Sequence, residues 1–200
     1  MIEQDHVYKV YDRIAHSFSA TRCDVWPAVS SYVDKIRKNS HVLDVGSGNG
    51  KNQYRSDIVW QTFDMCKEFC KMTQDCVMGN ALKLPFRSNV FDNVMCIACI
   101  HHLATKKRRQ QAIDECMRVL KHGGTCMISV WANHGDRNGD ALVSWQSTGL
   151  ERFYHFSSNE ELVTLTASYN TRIYKDNHRA PNKKQRKNNL PVNWFIEISH

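Results

Sequence analysis

The chain has 200 residues, 42% apolar and 24% charged, which suits one globular domain and excludes a disordered or fibrous chain. No apolar run approaches the roughly 18 residues of a membrane span, and Met1-Ile2-Glu3-Gln4-Asp5-His6 lacks the basic and apolar parts of a secretory signal. A soluble protein without a membrane partner is therefore expected, working in the cytoplasm with the nucleus as a second compartment.

Taken in chain order, the pattern alternates helices with short apolar strands. A helix is predicted over 25–37, strands over 41–45 and 58–63 (ending at Asp64), and a helix after Asp64. Further strands are predicted over 76–78, 91–97 and 125–131. Continuous apolar runs of this kind fit strands buried on both faces. The clearest helix is predicted over 106–121, with Thr105 as N-cap and Ala112, Ile113, Cys116, Met117 and Leu120 as its apolar stripe. Gly123-Gly124 reads as its stop. Ser158 and Glu161 form a capping box ahead of another helix. Two strands near 171–175 and 192–198 close the chain. Strand, helix, strand repeated, then a β pair, makes an α/β fold with a mostly parallel sheet and helices on both faces. Ligands in such folds sit beyond the carboxyl ends of the strands.

The net charge of +7 is unevenly placed. From Arg172 to Lys187 there are seven Lys/Arg, Lys183 and Lys184 among them, against Asp176 alone; Lys106-Lys107-Arg108-Arg109 is a second block. Such clusters favour polyanions; the alternative is a solvated surface. The eight cysteines sit mostly inside apolar patterns, where they act as small hydrophobes. Cys96 and Cys99 have CxxC spacing, but residues three apart on a strand face opposite sides. No second CxxC completes a zinc set, so reduced core thiols and no metal are expected.

After the first strand, Asp44-Val45-Gly46-Ser47-Gly48-Asn49-Gly50 forms a G-x-G-x-G turn, and Asp64 ends the second strand. The third position of a dinucleotide fingerprint falls on Lys51, so that motif is not completed. With Gly79-Asn80-Ala81-Leu82-Lys83-Leu84-Pro85-Phe86 and Phe91-Asp92-Asn93-Val94, in this order, the set resembles the class I S-adenosylmethionine-dependent methyltransferases. The resemblance implies a Rossmann-like, seven-stranded fold with S-adenosyl-L-methionine as cofactor. It implies cofactor contacts at Asp44, Gly46, Gly48, Asp64, Asn80, Ala81 and Ile97. Gly46 and Gly48 would make room for the methionine part, Asp64 would hold the ribose, and the Asn80 amide oxygen would meet the adenine amino edge.

The stretch 97–109, Val119-Leu120-Lys121-His122-Gly123-Gly124, Ser129-Val130-Trp131-Ala132, Thr21-Arg22 with Trp26-Pro27, and Arg152-Phe153-Tyr154-His155-Phe156 are more specific. Together they resemble the eukaryotic tRNA wobble-uridine carboxymethyl methyltransferases, over about 8–174. That resemblance implies esterification of 5-carboxymethyluridine in a tRNA anticodon stem-loop. It also implies a heterodimer with a small zinc-binding activator, docked at the sheet edge near Cys76, Val77 and Met78. One methyltransferase domain is expected: a helical lid over 1–40, a cofactor core over 41–131, and a substrate-side insertion with closing strands over 132–200.

The chemistry agrees. A carboxylate is ionised at neutral pH and needs no base to attack a methyl group. It needs alignment and a cation placed off the attack line. Arg22 is expected to be that cation, with His102, or else His101, beside it; strand-end packing is the alternative for the His pair. Trp131 is expected to stack on the uracil, or else to pack the sheet end. Arg152, Tyr154 and His155 would line the mouth, and Lys183 and Lys184 would meet phosphates. A small-molecule methyltransferase and a non-catalytic scaffold of the same fold are the rival readings.

Overall fold

The computed structural model describes residues 2–133, 138–176 and 193–199. One sheet has seven strands: β1 His41–Val45, β2 Val59–Asp64, β3 Val77–Met78, β4 Phe91–Ile97, β5 Leu120–Trp131, β8 Asn170–Asp176 and β9 Asn193–Ser199. Their order is β3-β2-β1-β4-β5-β9-β8. The first five run parallel, and β9 pairs antiparallel with both β5 and β8. The mostly parallel α/β architecture expected from the alternating pattern is present, with the seven strands that the family resemblance implies. Strand order reverses between β1 and β4, so a crevice opens there.

Alternation along the strands divides the core. Leu43, Val45, Val94, Cys96, Ile128 and Val130 face α4 (Lys106–Val119), meeting its Ala112, Ile113 and Cys116. Val42, Met95, Ile97 and Met127 face α2 (Pro27–Val33), against Val29 and Val33. α2 is shorter than the 25–37 predicted. Pro27 opens it and forces Trp26 to stay extended. At its other end Arg55 donates to the Val33 and Ile36 carbonyls, which closes the last turn early.

α4 also stops early, at Val119, because Leu120 goes straight into β5. Gly123-Gly124 therefore lies within β5 and is not a helix stop. A Cβ on Gly124 would sit 2.6 Å from the Asp92 carbonyl, so glycine there serves close approach of two strands. Thr105 does cap α4, accepting from the Arg108 N–H, and Ser158 caps α5 (Asn159–Leu165), accepting from Glu161.

Two features fall within the segments expected as a helical lid (1–40) and a substrate-side insertion (132–200), without element bounds having been predicted for them. A helix, π-wound over Gln4–Tyr8 and continuing as α1 (Lys9–Ala20), packs Val10, Tyr11 and Ile14 against Phe69 of α3 (Lys67–Cys70), and against Trp145 and Phe153. The last two belong to a separate antiparallel hairpin, β6 (Gly139–Ser144) and β7 (Glu151–Phe156), with its connecting turn. Both features lie over the carboxyl ends of the parallel strands.

The N-terminal helix is tied down by Glu3. This buried carboxylate accepts from Arg108 at 2.6 and 2.8 Å, from the Ala104 N–H at 2.7 Å and from the Tyr8 hydroxyl at 3.2 Å. Arg109 is buried on Glu161 and the Leu103 carbonyl. Two charges of the 106–109 block are thus spent inside the fold, which corrects their reading as free phosphate contacts. Removing Glu3 strands Arg108, still partly hydrated, and frees two further donors. Glu3→Ala should therefore cost about 2 kcal/mol of stability. In hydrogen exchange, protection should drop first across 4–20, with the parallel strands unaffected.

Candidate active site

A cleft of about 1130 Å³, its open mouth included, lies at the ends of β1, β2 and β4, under α1. Its floor is the turn after β1. Gly46, Gly48 and Gly50 all have positive φ, which glycine tolerates freely. They do different work. A Cβ on Gly46 would meet the Cys99 sulfur at 2.5 Å, so Gly46 lets the β1 and β4 turns touch. A Cβ on Gly48 would meet nothing within 4 Å; this residue leaves space open and points its N–H to Asp64 at 2.8 Å. Ala98, just after β4, is held at φ 55° by bonds from its N–H to the Ser129 carbonyl and hydroxyl. This left-handed alanine costs about 1 kcal/mol, and no sequence signal marked it.

Asp64 is buried, and each of its oxygens accepts one backbone N–H, from Gly48 and from Cys66. Burial raises its pKa, and these N–H groups oppose the shift. Each oxygen keeps a lone pair, which suits a ribose diol. Asp44 lies behind the lining; burial pushes it up to about 7 against a bond from Gln53. Asp44 Oδ1, Ser47 Oγ and Asn52 Oδ1 are buried without a partner beside the glycine turn. Three orphaned oxygens there fit an incoming ammonium, such as that of S-adenosylmethionine. Asn80 lines the cleft beside Ala81, but its amide oxygen already accepts from the Leu82 N–H at 3.0 Å. The oxygen's second lone pair remains for the adenine amino edge, and the NH₂ for a ring nitrogen. Ile97 completes this side. The set fits the cofactor implied by the motifs.

The roof carries a hydrogen-bond chain. His102 Nδ1 lies 2.7 Å from the Phe153 carbonyl, which can only accept, so Nδ1 holds the proton. Burial lowers the ring's pKa to about 4 despite that bond. The neutral Nε2 then accepts from the Tyr11 hydroxyl at 3.0 Å. Tyr11 in turn accepts from Tyr154 at 3.2 Å, and Tyr154 from Arg152 at 2.8 Å. Arg152 is buried between the Trp145 and Tyr154 rings, its Nε without a partner. Arg22 lines the cleft, over the Phe18 ring at 4.6 Å. Among the described residues it donates only to the Thr21 carbonyl and hydroxyl, and to no acid. Burial lowers its pKa, but a guanidinium stays charged.

The cleft lining therefore brings together Arg22, Gly46, Gly48, Asp64, Asn80, Ala81, Ile97 and His102. His101 and Trp131 lie outside it. His101 is buried, its pKa well below normal through burial, and accepts from the Trp131 N–H. The Trp131 ring is stacked on Tyr154, centroids 4.1 Å apart, so one face is already covered. His155 is held between Asp140 and Glu161, both at 2.6 Å. Burial opposes its charge, but the two carboxylates outweigh that and raise its pKa. It is an internal ion pair and not a mouth residue. Lys183 and Lys184 lie outside the described residues. Tyr11, Phe18 and Lys51 line the cleft without having been proposed as site residues, and Trp26, noted only as part of a family motif, lines it too. Only the apolar spacing of 7–15 could have flagged the helix that brings Tyr11. Among the described residues no group of His, Cys, Asp or Glu could hold a metal ion.

Residues 43–128 match a family profile described as a methyltransferase domain. The chain is 37% identical to the tRNA (carboxymethyluridine(34)-5-O)-methyltransferase of Schizosaccharomyces pombe over 167 residues, covering 77% of this chain and 72% of that protein. It is 40% identical to the Xenopus tropicalis protein of the same activity name over 139 residues, covering 66% of this chain. The chain spans only 22% of that relative's length. Its fold is similar to that of a Haloferax volcanii methyltransferase solved with the Trm112 methyltransferase activator: TM-score 0.70, 15% identity, covering all of this chain and 98% of that one.

The neutral histidines set an acid limit. Unfolded histidine takes a proton near pH 6.5, whereas buried His102 resists it to about 4. Between those values the unfolded chain binds more protons, so stability present above pH 6.5 is lost as pH falls. His155, with its raised pKa, acts oppositely: its contribution fades as pH rises through that value. Melting temperature should drop from pH 6.5 towards 4, and His102→Gln should flatten the drop. Equal slopes in the two proteins would contradict the assignment.

Proposed function

Because the chain belongs to the family of class I S-adenosylmethionine-dependent methyltransferases that includes the tRNA (carboxymethyluridine(34)-5-O)-methyltransferases, we propose that it methylates the carboxylate of 5-carboxymethyluridine at the tRNA wobble position. The observation that carries this reading is the cleft's inventory. Among the described lining residues it offers a guanidinium bonded only to Thr21, Arg22, while its one carboxylate, Asp64, is taken by the ribose role. His102 has both ring nitrogens occupied. An amine or alcohol acceptor would want a base; a carboxylate does not.

When bound, S-adenosylmethionine supplies an electrophilic methyl group on a sulfonium. Asp64 holds the ribose, Asn80 and Ala81 the base, and Asp44, Ser47 and Asn52 the ammonium end. Arg22 binds the substrate carboxylate and orients one oxygen forward. The Tyr11–His102 pair fixes the wall beside it, and α1 with Phe18 and Phe69 keeps water out. Two opposite charges merge into neutral products, so a water-poor pocket lowers the barrier by not solvating the separated ions.

The outer edge of β3, a two-residue strand ending in exposed Met78, is read as the docking edge for an activator of the kind seen with the Haloferax volcanii neighbour. Lys106 and Lys107, exposed on α4, are read as phosphate contacts with the anticodon stem.

The test is methyl transfer to tRNA carrying 5-carboxymethyluridine, with and without activator, the ester read by nucleoside mass spectrometry. Arg22→Ala should lower kcat/KM roughly a hundredfold. Asp64→Asn should raise the cofactor KM, since an amide N–H would face a backbone N–H. kcat should stay flat from about pH 6 to 9, because the nucleophile is already ionised. Equal use of small carboxylic acids would favour a metabolite enzyme, and cofactor binding without any transfer a scaffold.

A further inference from the structure

Three cysteines gather around Asp64: Cys66 lines the cleft, and Cys70 and Cys76 lie outside it. Cys66 donates to Asp12 at 3.0 Å. Cys70, at the end of α3, and Cys76, just before β3, bring their sulfurs to 2.7 Å. That is inside van der Waals contact and close to the roughly 2.05 Å of a sulfur–sulfur bond. Both are free thiols, and both are half-buried, within reach of small solutes. Elsewhere the geometry differs. Cys96, Cys116 and Cys126 are fully buried in the core, and Cys23 stands exposed at the end of α1.

We propose that Cys70 and Cys76 form a reversible dithiol–disulfide site, oxidised by small hydroperoxides. The 2.7 Å contact lets either sulfur attack first; written for Cys76, its thiolate attacks the peroxide oxygen, giving a sulfenic acid and releasing water or an alcohol. The Cys70 sulfur then displaces the sulfenic hydroxyl, which leaves as water with the thiol proton. Two thiols lose two electrons and the hydroperoxide gains them. The new bond closes the turn 71–75 between α3 and β3. That turn backs the ribose carboxylate: the Asp64 carbonyl accepts from Gly79 at 2.9 Å and from the Cys70 thiol at 3.7 Å. It also leads into the exposed edge of the sheet. Oxidation would thus stiffen the β3 edge without adding anything to the cleft lining.

The full chain carrying Cys23→Ser, to prevent links between molecules, is treated with hydrogen peroxide, alkylated and digested with trypsin. Cleavage after Lys67, Lys71 and Lys83 puts Cys66, Cys70 and Cys76 on separate peptides. The expected result is a covalent link between the Cys70 and Cys76 peptides, a protein lighter by two hydrogens, and loss of alkylation at both positions. Dithiothreitol should restore all three. In Cys76→Ser and in Cys70→Ser variants the link and the two-hydrogen loss should both vanish. A Cys66–Cys70 link, or separate oxidation of Cys70 and Cys76 with no link, overturns the proposal.

Discussion

The cleft depends on one directed chain of hydrogen bonds: Arg152 to Tyr154, Tyr154 to Tyr11, Tyr11 to His102, His102 to the Phe153 carbonyl. Its members come from α1, from β7 and from the turn after β4, which are far apart in sequence. Each group donates onward and none is free to reverse, because the last acceptor is a carbonyl. The chain therefore fixes the tautomer of His102 as well as its position. It also explains why the N-terminal helix closes over the strand ends: without Tyr11, His102 and Tyr154 would each be buried with an unmet polar atom. Glu3 and Arg108 hold the other end of the same helix.

That arrangement changes what the histidine pair can do. A neutral ring with both nitrogens spent neither takes a proton from a nucleophile nor offers one to an anion. The positive field comes instead from Arg22 and Lys51 in the cleft and Arg152 behind it; among the described residues neither guanidinium is bonded to an acid. A buried cation without a counter-ion is costly in an ordinary core. Arg152 is buried, and the Trp145 and Tyr154 faces flank it; half-buried Arg22 keeps some water besides the Phe18 face. An arriving carboxylate would complete the charge balance.

The parallel strands, the glycine turn, Asp64 and the caps at Thr105 and Ser158 were legible because local rules set them: apolar runs, positive φ, side chains reaching one turn ahead. The roof was not. Tyr11 becomes a site residue only when α1 crosses over β4's turn, and nothing at positions 7–15 says where that helix docks. Arg109 and His155 looked like free cations because their acid partner, Glu161, stands 52 and 6 residues away. The Gly123-Gly124 pair obeyed the helix-stop pattern yet served a strand contact, a distinction that needs the neighbour Asp92. Spacing identifies residue types suited to a site; which charges remain unspent is decided by tertiary partners.

Unmet polarity points to the same place independently. Among the described residues seven buried side-chain atoms lack a hydrogen-bond partner: Asp44 Oδ1, Ser47 Oγ, Asn52 Oδ1, Trp145 Nε1, Arg152 Nε, Ser157 Oγ and Asn193 Oδ1. The first three follow β1, the next two belong to the hairpin region over the cleft, and the last two flank the end of β5, where Ser157 N–H bonds the Trp131 carbonyl and Asn193 pairs with Trp131. All fall at the carboxyl pole of the parallel strands, as does the strained Ala98. Among the described residues the buried side-chain atoms left without a partner are thus concentrated at the pole that carries the cleft. A fold selected for stability alone would have scattered or removed them.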